Sequence, residues 1–117
     1  MNLQIAMLAL SLSEGITLTR KAGFNPEIFL KILNSTYFKT GMSEKKAYKM
    51  IKDDFKPTFT LQNLKKDLDT INETANFFGA NLSMAKQASQ IYQNAIDSGF
   101  ADIDYKGILA YLKQVNQ

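Results

Sequence analysis

The chain has 117 residues, a length that suits one domain, and its 45% hydrophobic and 21% charged residues are an ordinary globular balance. It contains no cysteine and no histidine, which excludes disulfides, thiolate or imidazole metal sites, cysteine nucleophiles and every histidine-based triad. The net charge of +3, from 14 basic and 11 acidic residues, is too mild to argue for nucleic acid; neither a metal nor a nucleic-acid partner is expected.

The first helix is expected from Met1 to Lys21. Arg20 and Lys21 fill its last turn and Ala22-Gly23 stops it. Its opening is apolar on nearly every side (Leu3, Ile5, Ala6, Met7, Leu8, Ala9, Leu10, Leu12), the pattern of a helix buried all round. The longest unbroken apolar run, Ile5 to Leu10, is six residues. A membrane span needs about 20 predominantly apolar residues, and no basic residue precedes the run as in a signal peptide. A cytoplasmic chain without a membrane partner is expected. The helix lacks an N-cap, so an upstream continuation is expected too.

Asn25-Pro26-Glu27 opens a second helix, Asn as cap and Pro in the first turn, with Phe29, Leu30, Ile32 and Leu33 as its apolar face. A polar stretch from Asn34 to Met42 follows. Ser43 is expected to cap a short charged helix through about Lys52. Phe55 to Phe59 reads as a loop, because Pro57 disfavours helix in the residue before it. Thr60 caps a long helix, about Leu61 to Phe78, whose stripe is Leu64, Leu68, Ile71, Ala75 and Phe78, and Gly79 stops it. Ser83 is expected to cap the next, with Met84, Ala88, Ile91, Tyr92, Ala95 and Ile96 inward and Gly99 at its end. Asp104 caps the last, with Tyr105, Ile108, Leu112 and Val115 inward. The fold class is therefore all-α, a single helical domain of about six helices over residues 1–117. Its six glycines are scattered and form no phosphate-binding loop.

Few residues stand out chemically. Lys66 lies about 160° round the helix from Leu68, opposite the core stripe, and Asp67 lies on its flank; an adjacent Lys-Asp pair is most often a solvated face. Asn2 and Gln4 are amides among apolar neighbours, and a buried amide needs a hydrogen-bond partner; solvent at the helix end would serve equally. Glu14 interrupts the same helix and reads as a surface position. Lys45, Lys46, Lys49, Lys52 and Lys56 form a basic cluster diluted by Glu44, Asp53 and Asp54. Phe55 and Phe59 read as core or loop anchors, unless one lines a cleft.

The run L-S-E-G-I-T-L-T-R-K-A-G-F-N-P-E, then I-L-N, then D-F-K-P-T-F-T-L-x-x-x-x-K-D-L, then A-x-x-I-Y-x-x-A-x-x-x-G-x-x-D-x-D resembles the 3-hydroxyisobutyrate dehydrogenase family of β-hydroxyacid dehydrogenases, whose helical part is like the C-terminal domain of 6-phosphogluconate dehydrogenase. The resemblance spans essentially the whole chain. It implies an N-terminal Rossmann domain, absent from this chain, a long interdomain helix corresponding to the first helix, and a helical domain that closes the cleft and dimerises. The family transfers a hydride between NAD or NADP and a small hydroxyacid or semialdehyde. Its general acid/base Lys stands four residues before a substrate-holding Asn. Aligned through Ser13-Glu14-Gly15, that Asn falls on Asn2, and the Lys falls before Met1, so no catalytic residue is expected here. The resemblance also places Phe59 beside the substrate, and Lys66 and Asp67 toward the cofactor. An inactive isolated chain and a homodimer or higher oligomer are expected. The alternative is a stand-alone helical module that binds protein or nucleic acid.

Overall fold

A computed structural model describes residues 2–117; Met1, the expected start of the first helix, lies outside them. Helix α1 runs over Asn2–Lys21, α2 over Pro26–Asn34, α3 over Gly41–Lys45, α4 over Ala47–Ile51, α5 over Leu61–Phe77 and α6 over Ser83–Ala95. A π-turn (Ile96–Phe100) and a 3₁₀ turn (Tyr105–Gly107) lead to α7, Ile108–Val115. No strand occurs among the described residues, so the chain is all-α, and no helix is long and apolar enough to cross a membrane.

Two clusters form the core, and α1 runs through both. Its first half (Ala6, Ala9, Leu10) packs with Leu61, Leu64 and Leu68 of α5, Ala88, Tyr92 and Ala95 of α6, and Ile108. Its second half (Leu12, Ile16) packs with Leu30, Ala47, Met50 and Leu109. Only one side of α1 is covered. Ala6, Ala9, Leu10, Leu12, Ser13 and Ile16 are buried, whereas Leu3, Ile5, Met7 and Leu8 are half-buried and Gln4, Ser11 and Glu14 exposed. Gly15 admits α2 against this spine: a Cβ there would stand 2.8 Å from two Phe29 ring carbons.

The caps at Asn25 and Thr60 are as the sequence indicates, accepting from Glu27 N at 3.0 Å and Asn63 N at 3.2 Å. Ser43 does not cap. Thr40 is the cap of α3, and Ser43 is its reciprocal partner in a capping box, at 2.8 and 3.0 Å. The expected single helix through Lys52 is two, α3 and α4. Ser83 is the first residue of α6 rather than its cap; the cap position is Leu82, which offers no side-chain acceptor. Met84, Phe78 and Val115, expected inward, are 67%, 76% and 55% exposed. Each stands at a helix end, where the bundle no longer covers the whole stripe.

Candidate functional site

The site is built from the first turn of α1, the exposed side of α5 and the loop before α5. Thr60 fixes where α5 begins, and Leu61, Leu64 and Leu68 bury one face of it. That phase leaves Lys66 exposed and Asp67 half-buried on the flank. Asn2 donates its amide Nδ2 to the Asp67 Oδ2, joining α1 to α5 across 65 residues of sequence. Asn2 has no other protein partner among the described residues, which leaves an amide N–H and a carbonyl oxygen for another group. Lys66 makes no ion pair among the described residues. This small polar face thus carries an ammonium, an amide and an oriented carboxylate. That donor set suits an anionic or polyhydroxylic partner.

Phe59 stands two residues before α5. Asp67 lies about 9 Å along the helix from Leu61, at 1.5 Å per residue. The Phe59 ring is half-buried against the first core cluster and meets Tyr105 edge-on at 6.3 Å. The structure therefore joins Asn2 to Asp67, sets Lys66 beside them, and holds Phe59 at the other end of the same stretch of chain. Phe55 packs against the second cluster as a loop anchor. Lys45, Lys46, Lys49, Lys52 and Lys56 are exposed to solvent, and Glu14 lies on the surface.

Three groups outside these expectations support the site. Asp104 is buried and accepts from Thr58 N and Oγ1 at 3.0 Å, Phe59 N at 3.2 Å and Lys106 N at 3.1 Å; the buried Lys106 ammonium lies 2.9 Å away. Burial alone would raise the Asp104 carboxyl, but the N–H groups of Thr58, Lys106 and Phe59 and the Lys106 ammonium outweigh it and hold it below the usual carboxylate range. In the sequence Asp104 reads only as a cap, because nothing local points to a partner 46 residues away. One turn beyond Lys65, Asp69 accepts from its ammonium at 2.6 Å and from Ser89 at 2.8 Å. Burial pulls Asp69 upward, and the Lys65 and Ser89 bonds with the Lys65 charge take it lower than an ordinary carboxyl. Tyr92, its hydroxyl pushed up by burial and by Tyr105, donates to Ala6 O at 3.0 Å and ties α6 to α1. Among the described residues no group of acidic side chains could hold a metal ion.

Comparison with known proteins adds a family-level match. The family described as "NAD-binding of NADP-dependent 3-hydroxyisobutyrate dehydrogenase" matches residues 1–112. The chain is 25% identical over 112 residues to the chloroplastic glyoxylate/succinic semialdehyde reductase 2 of Arabidopsis thaliana, covering 96% of this chain and 31% of that protein. The fold is similar to a 3-hydroxyisobutyrate dehydrogenase of Salmonella typhimurium, with a TM-score of 0.86 at 18% identity, over 94% of this chain and 39% of that one. It is similar too to the Mycobacterium tuberculosis 3-hydroxyisobutyrate dehydrogenase with L-serine, with a TM-score of 0.82 at 19% identity, over 95% and 40%. The chain spans about a third of the length of the curated reductases it matches.

Proposed function

Because the chain belongs to the NADP-dependent 3-hydroxyisobutyrate dehydrogenase family, we propose that it is the helical domain closing the cofactor and substrate cleft of an NAD(P)-dependent β-hydroxyacid dehydrogenase. The observation that carries this is the Asn2–Asp67 hydrogen bond beside a Lys66 that makes no ion pair among the described residues. It links the start of α1 to the one charged pair of α5 that the family's motif singles out. Asn2 and Phe59 line the substrate side. The free amide groups of Asn2 bond the carboxylate or hydroxyl of a small hydroxyacid or semialdehyde, and the Phe59 ring keeps water from one side of it. Lys66 and Asp67 face the cofactor, the ammonium toward a phosphate or carboxamide and the carboxylate toward a hydroxyl. The nicotinamide, when bound, supplies or accepts the hydride.

The general acid/base stands outside this chain, as does the dinucleotide fold that holds the cofactor, so the isolated 117 residues are inactive on this reading. The same reading makes the domain part of a homodimer or higher oligomer. It is supported by a groove of about 620 Å³ between α1 and the start of α6, lined by Leu3, Met7, Leu8, Leu82 and Met84. An apolar strip of this kind is the sort of surface a subunit covers.

The test replaces the matched third of Arabidopsis glyoxylate/succinic semialdehyde reductase 2 with residues 2–112. NADPH consumption is then followed with glyoxylate and with succinic semialdehyde. The hybrid is expected to turn over. Asn2→Ala and Lys66→Ala are each expected to cost roughly ten- to a hundredfold in kcat/KM, the scale of one hydrogen bond to a charged group. A folded hybrid without activity, or turnover by the 117 residues alone, would count against the reading.

A further inference from the structure

We propose that Asp104 is the positioning residue of the Phe59–Lys66 face: its buried carboxylate holds the Thr58–Phe59 backbone and thereby sets where Phe59 and the first turns of α5 stand. The functional meaning of that face rests on the reading above; the role of Asp104 in holding it does not.

A capping residue needs one bond, and Asp104 makes it, to Lys106 N at 3.1 Å. Its remaining bonds do other work. Oδ1 receives Thr58 N, Thr58 Oγ1 and Phe59 N, at 3.0, 3.0 and 3.2 Å, from 45 and 46 residues earlier in the chain. Oδ2 is shared by Lys106 N and the Lys106 ammonium. A carboxylate has about four acceptor sites, so both oxygens are saturated.

The segment that Asp104 grips cannot hold itself. Residues 54–57 form no helix or turn, and Pro57 has no N–H to give. It is tied instead to residues 101–105. Asp104 N donates to Phe55 O at 3.0 Å, Tyr105 N to Phe59 O at 2.9 Å, Leu61 N to Ile103 O at 2.9 Å and Gln62 N to Ala101 O at 3.0 Å. The Asp104 side chain sits in the middle of this ladder. It reaches Thr58 and Phe59, within the stretch between the backbone ties at Phe55 and Leu61, and adds side-chain bonds to the one backbone tie at Phe59 O.

Lys106 completes the device. Its side chain is 4% exposed, and Asp104 is its one carboxylate partner among the described residues. A cap has no use for a buried lysine. A carboxylate that must stay ionised while desolvated does, because an unpaired buried charge is strongly disfavoured.

The experiment uses the 117-residue chain and needs no turnover, so its outcome is separate from that of the hybrid reductase. Nuclear magnetic resonance follows the Phe59 amide and ring, the Lys66 amide and the Asn2 side-chain amide. The Asn34 side-chain amide, bonded to Ser43 O at 3.0 Å in the far part of the fold, is the control. Asp104→Asn keeps the shape but turns a donor toward Lys106. It is expected to speed Phe59 amide exchange by about tenfold or more and to move the Lys66 and Asn2 signals while leaving Asn34 in place. Adding Lys106→Met is expected to restore part of the parent spectrum, since the asparagine then faces no ammonium. Thr58→Val removes one of the three loop donors at an exposed position and is expected to shift the same signals in the same direction by less, a test that holds even if the Asp104 variant does not fold. Changes confined to Thr58 and Lys106, with Phe59, Lys66 and Asn2 at their parent positions, would reduce Asp104 to a local cap and overturn the proposal.

Discussion

Ser13 carries a hydroxyl on the covered side of α1 whose Oγ is buried and has no hydrogen-bond partner among the described residues. Such a group has given up water and received nothing in return. Ser13→Ala is therefore expected to stabilise the chain by about 1 kcal/mol, a few degrees in Tm by calorimetry; a lower Tm would mean that the hydroxyl finds a partner in solution. Asn2 is the opposite case. Its amide has a charged acceptor in Asp67, and the sequence could say only that such an amide needs one. The Lys66 position is legible because the leucine stripe of α5 fixes the helix phase, and with it the exposed side. The Asp104 grip on Thr58 is not legible. Any Asp before a helical turn reads as a cap, and no periodic signal encodes a hydrogen bond to residue 58.

Among the elements, both α1 and α6 have positions where an apolar side chain faces outward. Met84 is 67% exposed at the start of α6, and Met7 is half-buried on α1. The two methionines line both the 620 Å³ groove and a neighbouring one of about 250 Å³ that continues toward Leu10, Ser11 and Glu14. Helical periodicity marks these residues as apolar but cannot say whether the covering surface belongs to the same chain. Periodicity therefore points Met84 inward and α1 toward burial on every side, where the chain itself leaves Met84 exposed and covers only one side of α1. On the proposed assembly through this strip, Met84→Glu is expected to shift the sedimentation-equilibrium mass toward monomer and to leave the helical circular dichroism unchanged. A parent chain that sediments as a monomer would separate the domain's fold from the proposed assembly. Short elements carry less local signal than long ones. Thr40 and Ser43 each look like a cap, and only the reciprocal bonds show that Thr40 is the cap and Ser43 its partner.

At the scale of the molecule, the two core clusters hang on one helix, and two ionic ties, buried at Asp104–Lys106 and half-exposed at Lys65–Asp69, hold the elements around it. Asp104 and Asp69 are both held below the unfolded carboxylate value of about 3.9. Each therefore contributes stability that is present above that value and lost as the pH falls through its lower folded value. The urea midpoint is expected to be flat near neutrality and to fall below about pH 4. Asp104→Asn should be less stable at neutral pH yet lose less on acidification; an equal loss in both proteins would assign the acid sensitivity elsewhere. All-α architecture and most helix positions follow from patterns a few residues long, whereas the tie between residues 55–62 and 101–105 belongs to no local pattern. That tie also orders events during synthesis. While the chain is emerging from the ribosome, α5 can coil as soon as it is made, but the Phe59 loop has nothing to grip until residues 101–106 have left the tunnel some 45 residues later. Closing so long a loop is slower than forming a helix, so the Phe59 loop settles after α5 has formed. Until then Phe59 and its neighbours are open to chaperones and proteases.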